Sequence, residues 1–307
     1  MPDTLVGATV KVADFPSAAG AADLSPLDNI TSTTYIQGSP IVAATFVAPT
    51  SGAVLLSVGL AARDNNTGSA SRVHLAPEVR LNNASGAVVL AADVNTRGVG
   101  TPGESIDFAY RSRTTLLTGL TPGQTYYAQT LHKVSGGTTA DIGVRDITIT
   151  PTPLGGAFAG QPILAADYPP PVWAQDTTAI TNPAVTSYIA GTPQVSVTFA
   201  APTSGRVLLV VGGGAGNSAA SDRIALAPEV RLTNVSGQIV LSASVTSRGW
   251  STDNCSSGYV YGSRESVLEG LTPGQTYFAR VMYAVFNDGK PQTADISCRE
   301  IIVVPLP

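Results

Sequence analysis

Few side chains in this sequence have the type and spacing that chemistry needs. There are two histidines, His74 and His132, and neither has further ligands at a metal-binding interval. No Gly-x-Ser-x-Gly turn or Gly-x-x-x-x-Gly-Lys loop occurs, so a nucleophile elbow and a phosphate cradle are both missing. The run Gly-Gly-Gly-Ala-Gly-Asn at 212–217 has no helical pattern after it and lacks the acidic residue of a dinucleotide site. It reads as a flexible loop between strands. The corresponding segment, 63–68, carries Asp64, Asn66 and Gly68 at alternate positions. A calcium loop would continue to a distal bidentate Glu, which is absent, and a plain turn is the better reading. These observations argue against an enzyme, a bound metal and a cofactor.

One stretch has the character of a recognition loop. Between 248 and 261 stand Trp250, Asp253, Asn254, Tyr259 and Tyr261. Aromatic faces beside amide and carboxylate groups stack on and hydrogen-bond sugars, and the same residues also fit an aromatic cluster at an interface or core rim. Cys255 lies in this stretch and Cys298 near the C-terminus. Their spacing matches no metal motif; free thiols of a protein assembled in cytosol are the default reading, with a bridge between the two as the alternative.

The elements that must position these residues come in two sets. Leu-Ala-Pro-Glu-Val-Arg-Leu at 75–81 recurs unchanged at 226–232. Ala-Pro-Thr-Ser-Gly at 48–52 recurs at 201–205, and Gly-Leu-Thr-Pro-Gly-Gln-Thr-Tyr at 119–126 recurs at 270–277. A period of about 150 residues is too long for a solenoid repeat and suits a whole domain. The expected organisation is a tandem duplication, 1–153 and 154–307, each part opening with an arm (Ala-Asp-Phe-Pro at 13–16, Ala-Asp-Tyr-Pro at 166–169). The connecting segment, 151–162, is short and uncharged, which favours domains held close.

Within each half the apolar residues alternate. Val54, Leu56 and Val58 share one face, as do Val73, Leu75, Val79 and Leu81. Gly, Pro and Asn punctuate these runs, and no window keeps a helical period. The fold class expected is all-β, as two tandem homologous antiparallel β-sandwiches of jelly-roll-like form. Pro77 and Pro228 place their strands at an edge or a bulge. Charged residues repeated in both halves are Arg72/Arg223, Glu78/Glu229, Arg80/Arg231, Arg97/Arg248, Arg113/Arg264, Asp141/Asp295 and Arg145/Arg299. Ion pairs and strand-end caps account for them better than a recurrent arginine-lined binding site.

Charge narrows the partners. Only 12% of residues are charged and the net charge is −4, so there is no basic field for nucleic acid. No apolar run is long enough to insert in a membrane, and no secretory leader is visible at the N-terminus. Lysine is confined to Lys11, Lys133 and Lys290. A surface so poor in solubilising charge suits packing against copies of itself or other proteins, so a homo-oligomer is expected.

Three segments and their repeats carry a family resemblance: Phe-Val-Ala-Pro-Thr-Ser-Gly-Ala-Val-Leu at 46–55, Leu-Ala-Pro-Glu-Val-Arg at 75–80, and Leu-Thr-Pro-Gly-Gln-Thr-Tyr-Tyr-Ala at 120–128. They resemble virion surface proteins of tailed phages of actinobacteria and of prophage regions in their hosts. The resemblance implies jelly-roll modules similar to trimeric complement and tumour-necrosis-factor heads, hence a trimer as the favoured oligomer. It also implies a minor tail or capsid-decorating protein, resident in the virion after assembly in the host cytoplasm. Its partners would be other virion proteins, with host-surface glycan adhesion as an added role. It brings no catalytic residues. The alternative function is a carbohydrate-binding module.

Overall fold

A computed structural model of the chain describes residues 16–64, 72–101, 108–136, 139–152, 169–217, 223–252, 258–286 and 294–306. Every regular element among them is a strand. The first half supplies β1 (Ala19–Asp23), β2 (Leu27–Ile30), β3 (Ile36–Gln37), β4 (Ala43–Val47), β5 (Val54–Asp64) and β6 (Val73–Leu81). It continues with β7 (Val88–Leu90), β8 (Val99–Gly100), β9 (Ala109–Leu117), β10 (Thr125–Val134) and β11 (Ala140–Pro151). The second half supplies β12 (Val172–Asp176), β13 (Ile180–Thr181), β14 (Ile189–Ala190), β15 (Ser196–Ala200), β16 (Val207–Asn217) and β17 (Arg223–Leu232). It ends with β18 (Ile239–Leu241), β19 (Trp250–Ser251), β20 (Gly258–Leu268), β21 (Thr276–Phe286) and β22 (Ala294–Pro305). No helix among the described residues is long and apolar enough to cross a membrane.

All strand pairing is antiparallel, and each half folds as a sandwich. In the first, β1-β11-β5-β9 faces a sheet built on β6 and β10. In the second, β12-β22-β16-β20 faces one built on β17 and β21. The repeated segments occupy matching places: Leu81 pairs with Tyr126 and Leu232 with Tyr277, in ladders of the same register. Each half buries its own core. Leu56, Leu75 and Ile147 lie in one, Leu209, Leu226 and Ile301 in the other. The alternation of apolar residues sends these side chains inward.

The other two repeated motifs grip each other. Ala-Pro-Thr-Ser-Gly turns at Gly52 and Gly205, both at positive φ, a conformation that glycine adopts without strain. The Gly52 carbonyl accepts from Leu120 N–H at 3.0 Å, and Gly123 N–H donates to Ala48 at 2.9 Å. Gly205 with Leu271, and Gly274 with Ala201, repeat both bonds. Turn chemistry far apart in sequence is thus one clasp per half.

Pro77 is accommodated without a lost ladder bond. Its partner Thr130 turns its N–H to Val42 (3.0 Å), away from β6, so the pair is not hydrogen-bonded. On the other flank β8 meets β6 at His74 and Leu75, and β7 meets it at Val79 and Arg80. Pro77 sits in the gap between these short strands, an open piece of sheet edge. Val79/Arg80 also mark a register shift.

The structure corrects the reading of 212–217 as a loop. These residues continue β16, with Gly212, Gly213 and Gly214 paired to Ser263, Gly262 and Tyr261 on one flank and to Glu300, Arg299 and Cys298 on the other. Glycine serves close packing here: a Cβ at Gly214 would overlap the Tyr261 ring and the Ser297 hydroxyl. In the first half, Arg63 and Asp64 close β5, while the proposed turn at 65–68 lies outside the described residues. So do the first arm at 8–15 and most of the connecting segment. The chain just after each arm pairs onto the sheet: β1 and β2 on β11, β12 and β13 on β22.

Gly214→Ala is expected to destabilise the fold by about 1–3 kcal/mol through overpacking. Chemical denaturation should show a lower midpoint with an unchanged slope.

Candidate functional site

The sandwiches share a seam, and the described residues among those singled out for chemistry lie on it or on the scaffold beneath it. Its centre is Arg113 on β9, which has no solvent exposure. Its Nε donates to Glu300 Oε1 on β22 at 2.7 Å. Its Nη1 donates to the carbonyls of Val94 (2.9 Å) and Gly98 (3.1 Å), in the turn before β8. Burial works against the guanidinium's charge, but Glu300 outweighs it and the pKa lies above the ordinary arginine value.

Further bonds surround this pair. Gln175 on β12 reaches the Thr96 carbonyl (2.7 Å) and Glu300 Oε2 (3.2 Å), Thr114 N–H donates to Ser263 Oγ (2.9 Å), and Arg97 stacks over the Trp173 ring at 5.3 Å. Ala53 and Leu116 pack against Val210, Ile302 and Val304. A backbone pairing of Tyr261 with Gly100 joins β20 to β8, so that strands of both halves form one continuous sheet.

The aromatic candidates divide. Tyr261 is 5% exposed; its hydroxyl donates to Asn95 Oδ1 at 2.7 Å and its ring meets His74 edge-on at 5.9 Å. Burial pushes its pKa up to about 12. Tyr259 tilts against it at 6.2 Å, and both pack beside Val94 and Cys298. Trp250, half-buried on β19, packs on the core of the second half. Asp253, Asn254 and Cys255 lie outside the described residues. The described aromatics therefore belong to the seam and core rim and do not form an open stacking platform. Cys298 is a buried free thiol whose pKa burial raises.

The repeated charges serve the scaffold. Glu78 accepts from Arg80 at 2.6 Å and Gln129 at 2.7 Å, while Glu229 accepts from Arg231 at 2.6 Å and Arg280 at 2.9 Å. Burial raises the Glu229 pKa, the two guanidiniums lower it, and the net direction is down. Arg145 pairs with Asp23 and Arg299 with Asp176, tying the first strand of each half to the last. Asp141 and Asp295 accept from the N–H groups of Asn29 and Asn182, residues at positive φ. His74 and His132 are buried, with no hydrogen-bond partner for either ring among the described residues. Burial first, then nearby cations, brings each pKa down to about 4, so both are neutral near pH 7. No group of three potential metal ligands occurs among the described residues.

Reasoning from sequence named Arg113 but missed Glu300, Asn95, Gln175 and Trp173. A signal existed. Strand register places Val210, Ile302 and Val304 where the first half has Ser57, Thr148 and Thr150. Apolar residues at positions that are polar in the other copy mark a covered face.

No protein-family model and no curated protein matches the chain. Solved structures align over most of its length at low similarity. The tandem CBM22-1-CBM22-2 domains of Paenibacillus barcinonensis Xyn10C align at 7% identity and a TM-score of 0.26, over 98% of this chain and 100% of that one. Infectious bursal disease virus, Gx strain, aligns at 10% and 0.29 over 99% and 74%. Peptide:N-glycanase F aligns at 11% and 0.41 over 94% and 95%. Likeness at this level says nothing of function.

Two outcomes follow. Arg113→Met leaves Glu300 buried without its cation and should cost about 3–5 kcal/mol in chemical denaturation. Arg264→Met, at the matching exposed position, should cost much less. The histidines bind protons in the unfolded chain from about pH 6.5 but in the folded protein only near 4. The unfolded state therefore holds more protons in that window, and stability falls as pH drops from 6.5 to 4. Replacing His74 and His132 by Leu should flatten the melting temperature across this range.

Proposed function

We propose that this chain is a non-enzymatic structural protein of a tailed-phage virion, attached to the tail or decorating the capsid. The observation that carries this reading is the placement of its charged residues. Glu78, Arg113, Arg145, Glu229, Arg299 and Glu300 are buried, and their described polar partners hold strands or halves together. A protein built this way offers surface and not chemistry. The motifs that resemble phage surface proteins are the clasp and strand segments of this scaffold, and apolar edge residues recur in both halves: Val88 and Val89 on β7, Ile239 and Val240 on β18, all exposed. Such edges suit neighbours in an assembly. Copies of the chain and other virion proteins are the partners proposed. The alternative of a carbohydrate-binding module loses support at its own loop, where Tyr261 is held in the seam and Trp250 by the core.

The test is location. Mass spectrometry of gradient-purified particles should find the chain at fixed stoichiometry, and electron microscopy should place its paired sandwiches on the particle surface. Intact particles lacking the protein would overturn the reading.

A further inference from the structure

The seam inside the chain joins unlike surfaces: the Arg113 side of the first sandwich and the Glu300 side of the second. Because the halves repeat one another, each surface has an unused counterpart. On the second half, Arg264 holds its guanidinium as Arg113 does, donating to the carbonyls of Val245 (2.9 Å), Ser247 (3.0 Å) and Gly249 (3.1 Å). Arg264 is exposed, and so is Val267, 42% accessible where its counterpart Leu116 is fully buried.

On the first half, a cavity of about 260 Å³ opens beside Asp146, Tyr110, Ser112 and Val144, with Arg111 also lining it. Register places these residues where the second half has Glu300, Tyr261, Ser263 and Cys298, the groups around Arg113. Among the described residues the Asp146 carboxylate has no ion pair or hydrogen-bond partner, and burial holds it above the usual range. Tyr110 is 70% exposed, whereas Tyr261 is covered.

The backbone shows the same vacancy independently. Within the chain, β8 bridges β6 and β20. Its counterpart β19 pairs with β17 alone, and β9, the counterpart of β20, pairs with β5 alone among the described residues. Among the described residues, β19 and the Tyr110 end of β9 therefore lack a further strand partner beside the exposed arginine and the carboxylate cavity, while the Thr114 end of β9 is held by Ser263.

We propose that these surfaces bind each other between copies of the chain. Arg264 of one copy enters the Asp146 cavity of the next, and β19 lies along β9 near Tyr110. The occupant is a second copy because the chain already shows this pair of surfaces docked. Of the substitutions that separate the contact between copies from the one within the chain, two carry complementary charges. Arg111 stands at the position of Gly262, and Glu265 at that of Thr114. The first half also has Ser57, Thr148 and Thr150 in place of Val210, Ile302 and Val304, and Gly20 in place of Trp173, so the contact lacks the seam's apolar part, is weaker and forms only where copies are concentrated. A contact between unlike surfaces propagates, as a ring or a filament.

This deepens the self-association part of the reading above and is tested apart from virion location. Light scattering or sedimentation of the full chain should show mass growing with concentration. Asp146→Asn and Arg264→Gln should each weaken association about 30-fold or more, with circular dichroism and melting close to the parent. Mixed one to one they should form a dimer and stop there, because one retains only the arginine surface and the other only the cavity. A monomeric parent chain, parent-like association of Asp146→Asn, or failure of the two folded variants to pair would overturn the proposal. None of these results bears on whether the protein is found on particles.

Discussion

A guanidinium without solvent contact constrains everything around it. Desolvating Arg113 is costly, and only a full set of partners offsets that cost. Glu300 comes from the last strand of the second half and the carbonyls from the turn between β7 and β8 in the first. Separating the halves would strand Glu300 and open Val210, Ile302 and Val304 to water. The placements of Gln175, Trp173 and Tyr261 follow from the same requirement, since each closes the rim of a dry site. The seam is thus a folding interface, with the polarity of a binding site and the burial of a core.

Duplication explains how such a seam arises from one fold. The clasp between the Ala-Pro-Thr-Ser-Gly and Leu-Thr-Pro-Gly turns, the glutamate–arginine pair on β6 and β17, and the tie between first and last strands occur in both halves. These close each sandwich. The halves diverge where they meet: Arg113 is buried and Arg264 exposed although both hold equivalent carbonyls. Identical local chemistry is given different weight by what lies opposite it. Burial turns an exposed arginine's modest contribution into one that the structure cannot lose.

The same reasoning applies to the other buried ionisable groups. Glu78, Glu229, Glu300, Asp23 and Asp176 each face an arginine. Both histidines are neutral and enclosed, and the Cys298 thiol is held protonated in an apolar cluster. Among the described residues, the exposed apolar side chains include Val88 and Val89 on β7 and Ile239 and Val240 on β18, the same short strand in each half.

The sequence by itself determined the all-β class, the positions of most of the longer strands and the equivalence of the repeated segments. Those depend on alternation, on turn residues with special φ and on internal identity, all local in the chain. Pro77 announced a break in pairing, and the partners of Glu78 and Glu229 were legible two residues away at Arg80 and Arg231. Tertiary structure alone decided the rest. That 212–217 is strand depended on Tyr261 and Ser297 crowding Gly214, and glycine in sequence reads equally as loop. That Tyr261 is a seam residue depended on Asn95, 166 positions away. That Arg113 is buried depended on Glu300, 187 positions away. A side chain's role follows from its dielectric surroundings and its partners, and these are set by which surfaces meet, a property no local pattern encodes.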